Sequence, residues 1–270
     1  MWYNSQKRKV ILKKLISALL FLVVICCACG KKEEVTPADT LSAIQERDQI
    51  IIGVKTDAPP FGYLDVNGKN IGFDIDLAKL ITRRILGDEN KVVFVPVTPV
   101  NRIMKLTSGE VDMIIATMSV TPQRQLILDF SIPYHTAGQA LMVPKTSKIS
   151  SLMELSDRKA IVVFGSTVEK SLQSNVPGIN VIGYKTYPEA VQALKQGKAD
   201  AMISDDTILM GFAMKDPSLK IPSKRYSKEP YAVAFRKEAE SERLMEAVNI
   251  ELKEAMNKGE IKQLKAKWGF

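Results

Sequence analysis

A chain of 270 residues is long for one compact core, so two domains are expected. Apolar residues make up 46% and charged residues 25%, the proportions of a folded globular protein rather than a disordered or fibrous one. The formal charge of +8 invites a nucleic-acid partner, but Lys7, Arg8, Lys9, Lys13 and Lys14 precede residue 29 with no acid among them. The remaining +3 is interspersed with no basic stripe carrying aromatics, which excludes a nucleic-acid surface.

Behind the basic segment an apolar run extends from Leu15 to Ala28. Its 14 residues are too few for a membrane-spanning helix and suit a signal-peptide core. The run ends in CCACG, which holds all three cysteines of the chain and resembles a bacterial lipobox, with Ala28 before Cys29 and Gly30 after it. Cys26 occupies the position where such sites usually have a leucine-like residue, so cleavage before Cys27 stays open as an alternative. The expectation is a lipoprotein signal peptide over residues 1–28 and a lipid on Cys29 that holds the protein at the outer face of the cell membrane. Cleavage before Cys29 leaves no other thiol, hence no disulfide. Residues 29–40 include KKEEVTPA (Lys31 to Ala38), which can build no core and reads as a flexible tether.

The folded body opens with a short helix, Leu41 to Arg47, and a buried strand, Gln49 to Lys55. Asp57, Pro59, Pro60 and Gly62 form a loop at the strand's C-terminal end, and Asn67-Gly68 marks a turn. Phe73, Leu77, Leu80, Ile81 and Ile85 fall at helical spacing, with Gly87 as a C-cap. Asp74 and Asp76 read as first-turn acids that favour the helix dipole. Strand Lys91 to Val97, helix Val100 to Thr107 and strand Val111 to Ala116 follow. This alternation predicts a parallel sheet with helices on both faces.

Ala116 to Tyr134, ATMSVTPQRQLILDFSIPY, presents the hydroxyls Thr117, Ser119 and Thr121 and then Arg124. Thr121-Pro122 is a helix start, with a hydroxyl at the N-cap and proline at the first position. A cation in that first turn opposes the dipole, yet free N–H groups, hydroxyls and a guanidinium together suit an anion. An ordinary connection with a solvated arginine is equally compatible with the residues.

Beyond Tyr134 the rhythm restarts. Strand Gln139 to Val143 and short helix Ser151 to Leu155 lead into strand Ala160 to Phe164, helix Thr167 to Gln173 and strand Asn180 to Gly183. Helix Pro188 to Gln196, strand Ala199 to Ile203 and helix Asp206 to Met214 come next. One more strand, Tyr231 to Arg236, precedes helical patterns over Ala239 to Asn257 and Ile261 to Lys267.

Four blocks in register, namely Val54 to Ile81 (VKTDAPPFGYLDVNGKNIGFDIDLAKLI), the Ala116 segment, Val162 to Leu172 (VVFGSTVEKSL) and Gly197 to Asp206 (GKADAMISDD), resemble the family 3 extracellular solute-binding proteins. These are the amino-acid receptors of ABC importers, and the likeness runs from Leu41 to the closing AKWGF. The resemblance implies an α/β fold of the type II periplasmic-binding-protein class, two lobes joined by two crossover strands. Lobe 1 comprises residues 41–138 and 229–270, lobe 2 residues 139–228 inserted into it, and the crossovers are Gln139 to Val143 and Tyr231 to Arg236. An amino acid would sit between the carboxyl ends of the two sheets and be enclosed on closure. Its carboxylate would meet Arg124 and groups near Ser166 and Thr167. Its ammonium would meet Asp205, Ser119 and a carbonyl near Thr117, with Asp206 left as a first-turn acid.

The side-chain pocket rests on the resemblance alone. Aromatic clamps found in some relatives are missing from Asp57-Ala58-Pro59-Pro60 and from Thr98-Pro99-Val100. Arg102 stands where relatives that bind glutamate or aspartate carry an arginine. Lys55 adds a second positive charge that Asp57 partly offsets, and Tyr187 completes the candidate contacts. The expected ligand is therefore acidic, with amides second and cationic amino acids last; a solvated Arg102 is the bland alternative.

The chain reads as a binder and not as an enzyme, with no cofactor and no metal. His135 has no thiol nucleophile or metal-ligand spacing beside it, and no GxSxG, HExxH, Walker or dinucleotide motif occurs. A dehydratase of cyclohexadienyl acids built on the same fold is the rival enzyme, and a ligand sensor for a signalling protein the third class. The expected partners are a small amino acid and a membrane ABC permease, the expected state a monomer.

Overall fold

The computed structural model describes residues 39–222 and 224–270. The expected signal peptide and Cys29, with nearly all of the expected tether, lie outside the described residues.

In chain order the elements are α1 (Thr40–Glu46), β1 (Ile50–Val54), β2 (Asp57–Ala58), β3 (Gly62–Leu64), β4 (Asn70–Ile71), α2 (Phe73–Leu86), β5 (Val92–Pro96) and α3 (Arg102–Thr107). Then come β6 (Met113–Ile115), α4 (Pro122–Gln125), β7 (Leu128–Phe130), β8 (His135–Ala137), β9 (Gln139–Pro144), β10 (Lys159–Val163), α5 (Thr167–Asn175) and β11 (Asn180–Tyr184). The remainder is α6 (Tyr187–Lys195), β12 (Ala201–Asp205), α7 (Asp206–Ala213), β13 (Leu219–Lys220), β14 (Glu229–Tyr231), β15 (Ala234–Arg236), α8 (Ala239–Asn257) and α9 (Glu260–Lys267).

Two five-stranded sheets organise the molecule, ordered β5-β1-β6-β15-β7 and β11-β10-β12-β9-β13. Each has a parallel centre, but both are mixed sheets. β15 runs antiparallel to β6 and β7, while β9 runs antiparallel to β12 and β13. Apolar runs carry no direction, so the expected all-parallel sheets were beyond what periodicity encodes. β1 owes its central place to Ile50, Ile52 and Val54, all fully buried and β-branched, as a strand covered on both faces requires. α2 buries Phe73, Leu77 and Ile81 and ends at Gly87, whose φ of 79° is the left-handed cap.

The crossovers are displaced from their expected positions. Gln139 to Val143 belongs to the second sheet and Ala234–Arg236 to the first, while β8 pairs antiparallel with β14 between them. The YAVAFR run breaks at Ala232-Val233, whose N–H groups turn aside to Met118 O at 3.1 Å and Ser131 Oγ at 3.0 Å. An unbroken apolar run conceals such a break. His135 lies on β8 with its ring 5.1 Å from that of Phe270 and 5.4 Å from that of Phe61, and burial pulls its pKa down to about 4. It is a neutral packed residue at neutral pH.

The two sheets' loops meet closely. Cβ atoms built at Gly165 and Gly211 would lie 2.8 Å and 2.2 Å from the backbones of Pro99 and Pro59 respectively, so only glycine permits these approaches without displacement. The geometry is that of lobes pressed together.

Candidate functional site

The site grows from the end of β6. Thr117 there adopts φ 47°, a left-handed conformation uncommon for a β-branched residue. Two buried charges hold it. Asp74 Oδ2 accepts the Thr117 N–H at 2.9 Å, and Arg102 Nη1 donates to Ala116 O at 2.7 Å and Thr117 O at 3.3 Å. Burial raises the Asp74 carboxyl to about 7, and burial together with the nearby Arg124 charge lowers Arg102 to about 9. Arg102 therefore stays cationic at neutral pH, only 3% exposed, with its Nε unpartnered among the described residues. The solvated alternative is excluded.

Arg124 follows one turn later. Thr121 Oγ1 caps α4 by accepting the Arg124 N–H at 3.2 Å, as the Thr-Pro pair predicted. The guanidinium lies on Ser119 O at 2.8 Å and reaches Gly165 O, beyond β10, at 3.4 Å. A cleft of about 1130 Å³ opens here, lined by Thr98, Pro99, Arg124, Gly165, Ser166 and Thr167 among others. Ser166 Oγ is buried with no partner among the described residues, and the first turn of α5 leaves N–H groups free of intrahelical bonds. Guanidinium, hydroxyl and helix N-terminus together make a receptor for an anion.

The opposite charge stands at the end of β12. Asp205 is 7% exposed and accepts a hydrogen bond from the Tyr231 hydroxyl. Burial raises its pKa to about 7 against the pull of that bond, and its charge acts on both Arg102 and Arg124. Asp206 faces elsewhere, bonded to Gly138 N–H at 3.0 Å and ion-paired with Arg225.

A third polar group completes the site. Lys55, fully buried, stands 2.8 Å from Asp57 Oδ1 and 4.9 Å from the centre of the Tyr187 ring. Burial lowers the Lys55 pKa and Asp57 opposes that shift. Asp57 Oδ2 accepts the Tyr187 N–H at 3.2 Å, which ties the loop after β1 to the start of α6. The Tyr187 hydroxyl is held well above its ordinary value by burial and by Asp205.

The fold thus collects the sequence candidates at facing sheet ends. Arg124, Ser166 and Thr167 line the open cleft, while buried Lys55, Arg102, Tyr187 and Asp205 and half-buried Asp57 lie outside its lining, linked to it through the charges that Asp205 and Arg102 exchange with Arg124. Thr117 and Ser119 contribute carbonyls that already accept from Arg102 and Arg124. Sequence reasoning missed Asp74 as the prop under Thr117, because a first-turn acid has a sufficient explanation in the dipole. It also missed Tyr231 and Gln139, which sit in runs that read simply as strand, and Glu229, which precedes one of those runs. No cluster of His, Cys, Asp or Glu among the described residues could hold a metal ion.

Known proteins share this sequence and arrangement. The ABC transporter glutamine-binding protein GlnH of Bacillus subtilis (strain 168) is 39% identical over 249 residues, covering 89% of this chain and 90% of the relative. A glutamine-binding protein of Geobacillus stearothermophilus is 41% identical over 216 residues, covering 78% and 82%. A solved ancestral arginine-binding protein bound to glutamine superposes with a TM-score of 0.78 at 38% identity, covering 83% of this chain and 98% of that one. The architecture is that of type II periplasmic binding proteins, two α/β lobes joined by two crossover strands. Residues 50–270 match the description "Bacterial extracellular solute-binding proteins, family 3", and the chain belongs to that family.

Proposed function

We propose that this protein is the extracytoplasmic receptor of an amino-acid ABC importer, closing on a polar L-amino acid and presenting it to a membrane permease. One observation carries the reading: a guanidinium, Arg124, lines the cleft, and a buried carboxylate from the other sheet, Asp205, lies near enough for its charge to act on it, so that the two charges an α-amino acid requires are paired between the sheets. The free anion-binding groups at Ser166 and Thr167 complete the carboxylate end.

The side-chain end favours an amide over the acid that Arg102 and Lys55 first suggest. Lys55 is already neutralised by Asp57, and Arg102 gives an N–H to the backbone. A carboxamide can accept from the cations and donate to Asp57, whereas a carboxylate would meet Asp57 as a like charge. Both curated relatives described above are glutamine-binding by name. In a calorimetric screen of the twenty amino acids, using protein truncated to begin near Lys31, glutamine is expected to bind tightest, glutamate second and the cationic amino acids last. A preference for arginine, lysine or histidine would overturn the reading.

The same proposal makes the protein a lipid-anchored monomer. Two acyl chains on Cys29 give stable attachment where one does not. Palmitate fed to cells is expected to label the wild type and not Cys29→Ala. Equal labelling of that variant would move the site to Cys27.

A further inference from the structure

Glu229 lies on the crossover strand β14, 6% exposed, and touches neither edge of the open cleft. Its Oε1 accepts from Gln139 Nε2 at 3.1 Å and from Ser227 Oγ at 2.9 Å. Gln139 Nε2 also reaches Thr167 Oγ1 at 3.3 Å, and Gln139 Oε1 accepts from Ser171 Oγ at 3.2 Å. A buried carboxylate is thus connected through one amide to the helix turn that lines the cleft.

The same strand lies against the loop of the opposite charge. Val120 N–H donates to Pro230 O at 2.9 Å, Ala232 N–H to Met118 O at 3.1 Å, and Ser119 faces Tyr231 as a single bridge. Arg124 rests on the carbonyl of that Ser119. Among the charges acting on Arg124, that of Glu229 is the foremost favourable one, and it also disfavours the anion of Asp205.

Counting Glu229, three cations (Lys55, Arg102, Arg124) share the site with four acidic groups (Asp57, Asp74, Asp205, Glu229). A zwitterion with a neutral side chain leaves that balance unchanged, whereas an acidic side chain adds a further negative charge with no partner in a low-dielectric space. We propose that Glu229 is the positioning residue that sets amide over acid, acting as the resident counter-charge of Arg124 without contacting the ligand. This rests on the reading of the cleft as an amino-acid site with an amide-preferring side-chain end.

Glu229→Gln keeps an oxygen for Gln139 and Ser227 while removing the charge. Titrated with glutamine and glutamate, it is expected to raise the glutamate-to-glutamine affinity ratio by about tenfold or more, while Glu229→Asp keeps the wild-type ratio. A purely structural role would weaken both ligands alike and leave the ratio in place. If Glu229→Gln does not fold, Gln139→Lys, which sets a compensating cation on the same carboxylate, must shift the ratio in the same direction. A ratio within threefold of wild type in the folded variant overturns the proposal, as does an equal shift in Glu229→Asp. A wild type that binds neither ligand overturns the functional reading along with it. Glutamine binding with an unmoved ratio removes Glu229 alone.

Discussion

Arg124→Ala and Asp205→Ala are each expected to stay folded and to lose roughly 30-fold to several thousand-fold in affinity. Such a loss corresponds to about 2–5 kcal/mol for one partner of a desolvated charge pair. Both groups are largely withdrawn from water, so neither the ligand carboxylate nor its ammonium has solvent to fall back on once the partner is gone. Asp205 adds a pH signature. Burial raises its carboxyl from 3.8 to about 7 in the free protein, so the stability it contributes is present below 3.8 and lost as pH rises through 7. Ligand affinity runs the other way, because the ammonium needs the anion, and falls as pH drops below about 7. Asp74, raised to the same value, keeps a stability slope of the same sign in Asp205→Ala, while the affinity slope disappears. Calorimetry at pH 5 and pH 8 on both proteins reads this out. Binding within threefold of wild type, with the fold confirmed by circular dichroism, would remove either residue from the site.

Gly211→Ala is expected to bind roughly fivefold to over 100-fold more weakly while melting no lower than the wild type. Gly211 lies within α7, where alanine is the better helix former by up to about 1 kcal/mol. The added methyl carbon would stand 2.2 Å from Pro59 O and 2.6 Å from the carbonyl carbon. Rigid backbone lies on the far side of that contact, so relief comes through parting the lobes. Overpacking of this kind costs about 1–3 kcal/mol and falls on the closed state alone, which lowers apparent affinity without touching a ligand contact. Small-angle scattering should show the variant retaining the radius of its free form at ligand concentrations that compact the wild type. Equal affinities would show that Pro59 yields.

Much of the fold was legible because hydrophobic spacing survives in the chain without its neighbours. The helix from Phe73 to Leu86 and the strand from Ile50 to Val54 follow from apolar period alone. The choice between Asp205 and Asp206 comes instead from the resemblance of the GKADAMISDD block to the family; in the structure one ends a strand and the other opens a helix. The helix start before Arg124 was legible in Thr121-Pro122, whereas the role of its guanidinium comes from the resemblance. The loop strands β2 to β4 and the crossover pair were not legible, because strands of two or three residues carry too few positions to show a period. Glu229 was hidden for a different reason. An acid beside a proline looks like an exposed edge, and only the pairing with Gln139, 90 positions away in sequence, reveals it as buried.

The pairing of the first sheet bears on the order in which the chain can fold. The second sheet takes all five strands from one unbroken stretch, Gln139–Lys220, and can assemble as soon as that stretch exists. The first sheet cannot, because Ala234–Arg236 must enter between Met113–Ile115 and Leu128–Phe130. During synthesis from the N-terminus, β6 and β7 therefore wait with open edges while the inserted lobe is made, and only then is the gap between them filled. Such distant pairing is slow to form. The leading half of the polypeptide thus stays unfinished until the trailing segment emerges, which leaves time for handling by chaperones or translocation machinery before the structure locks.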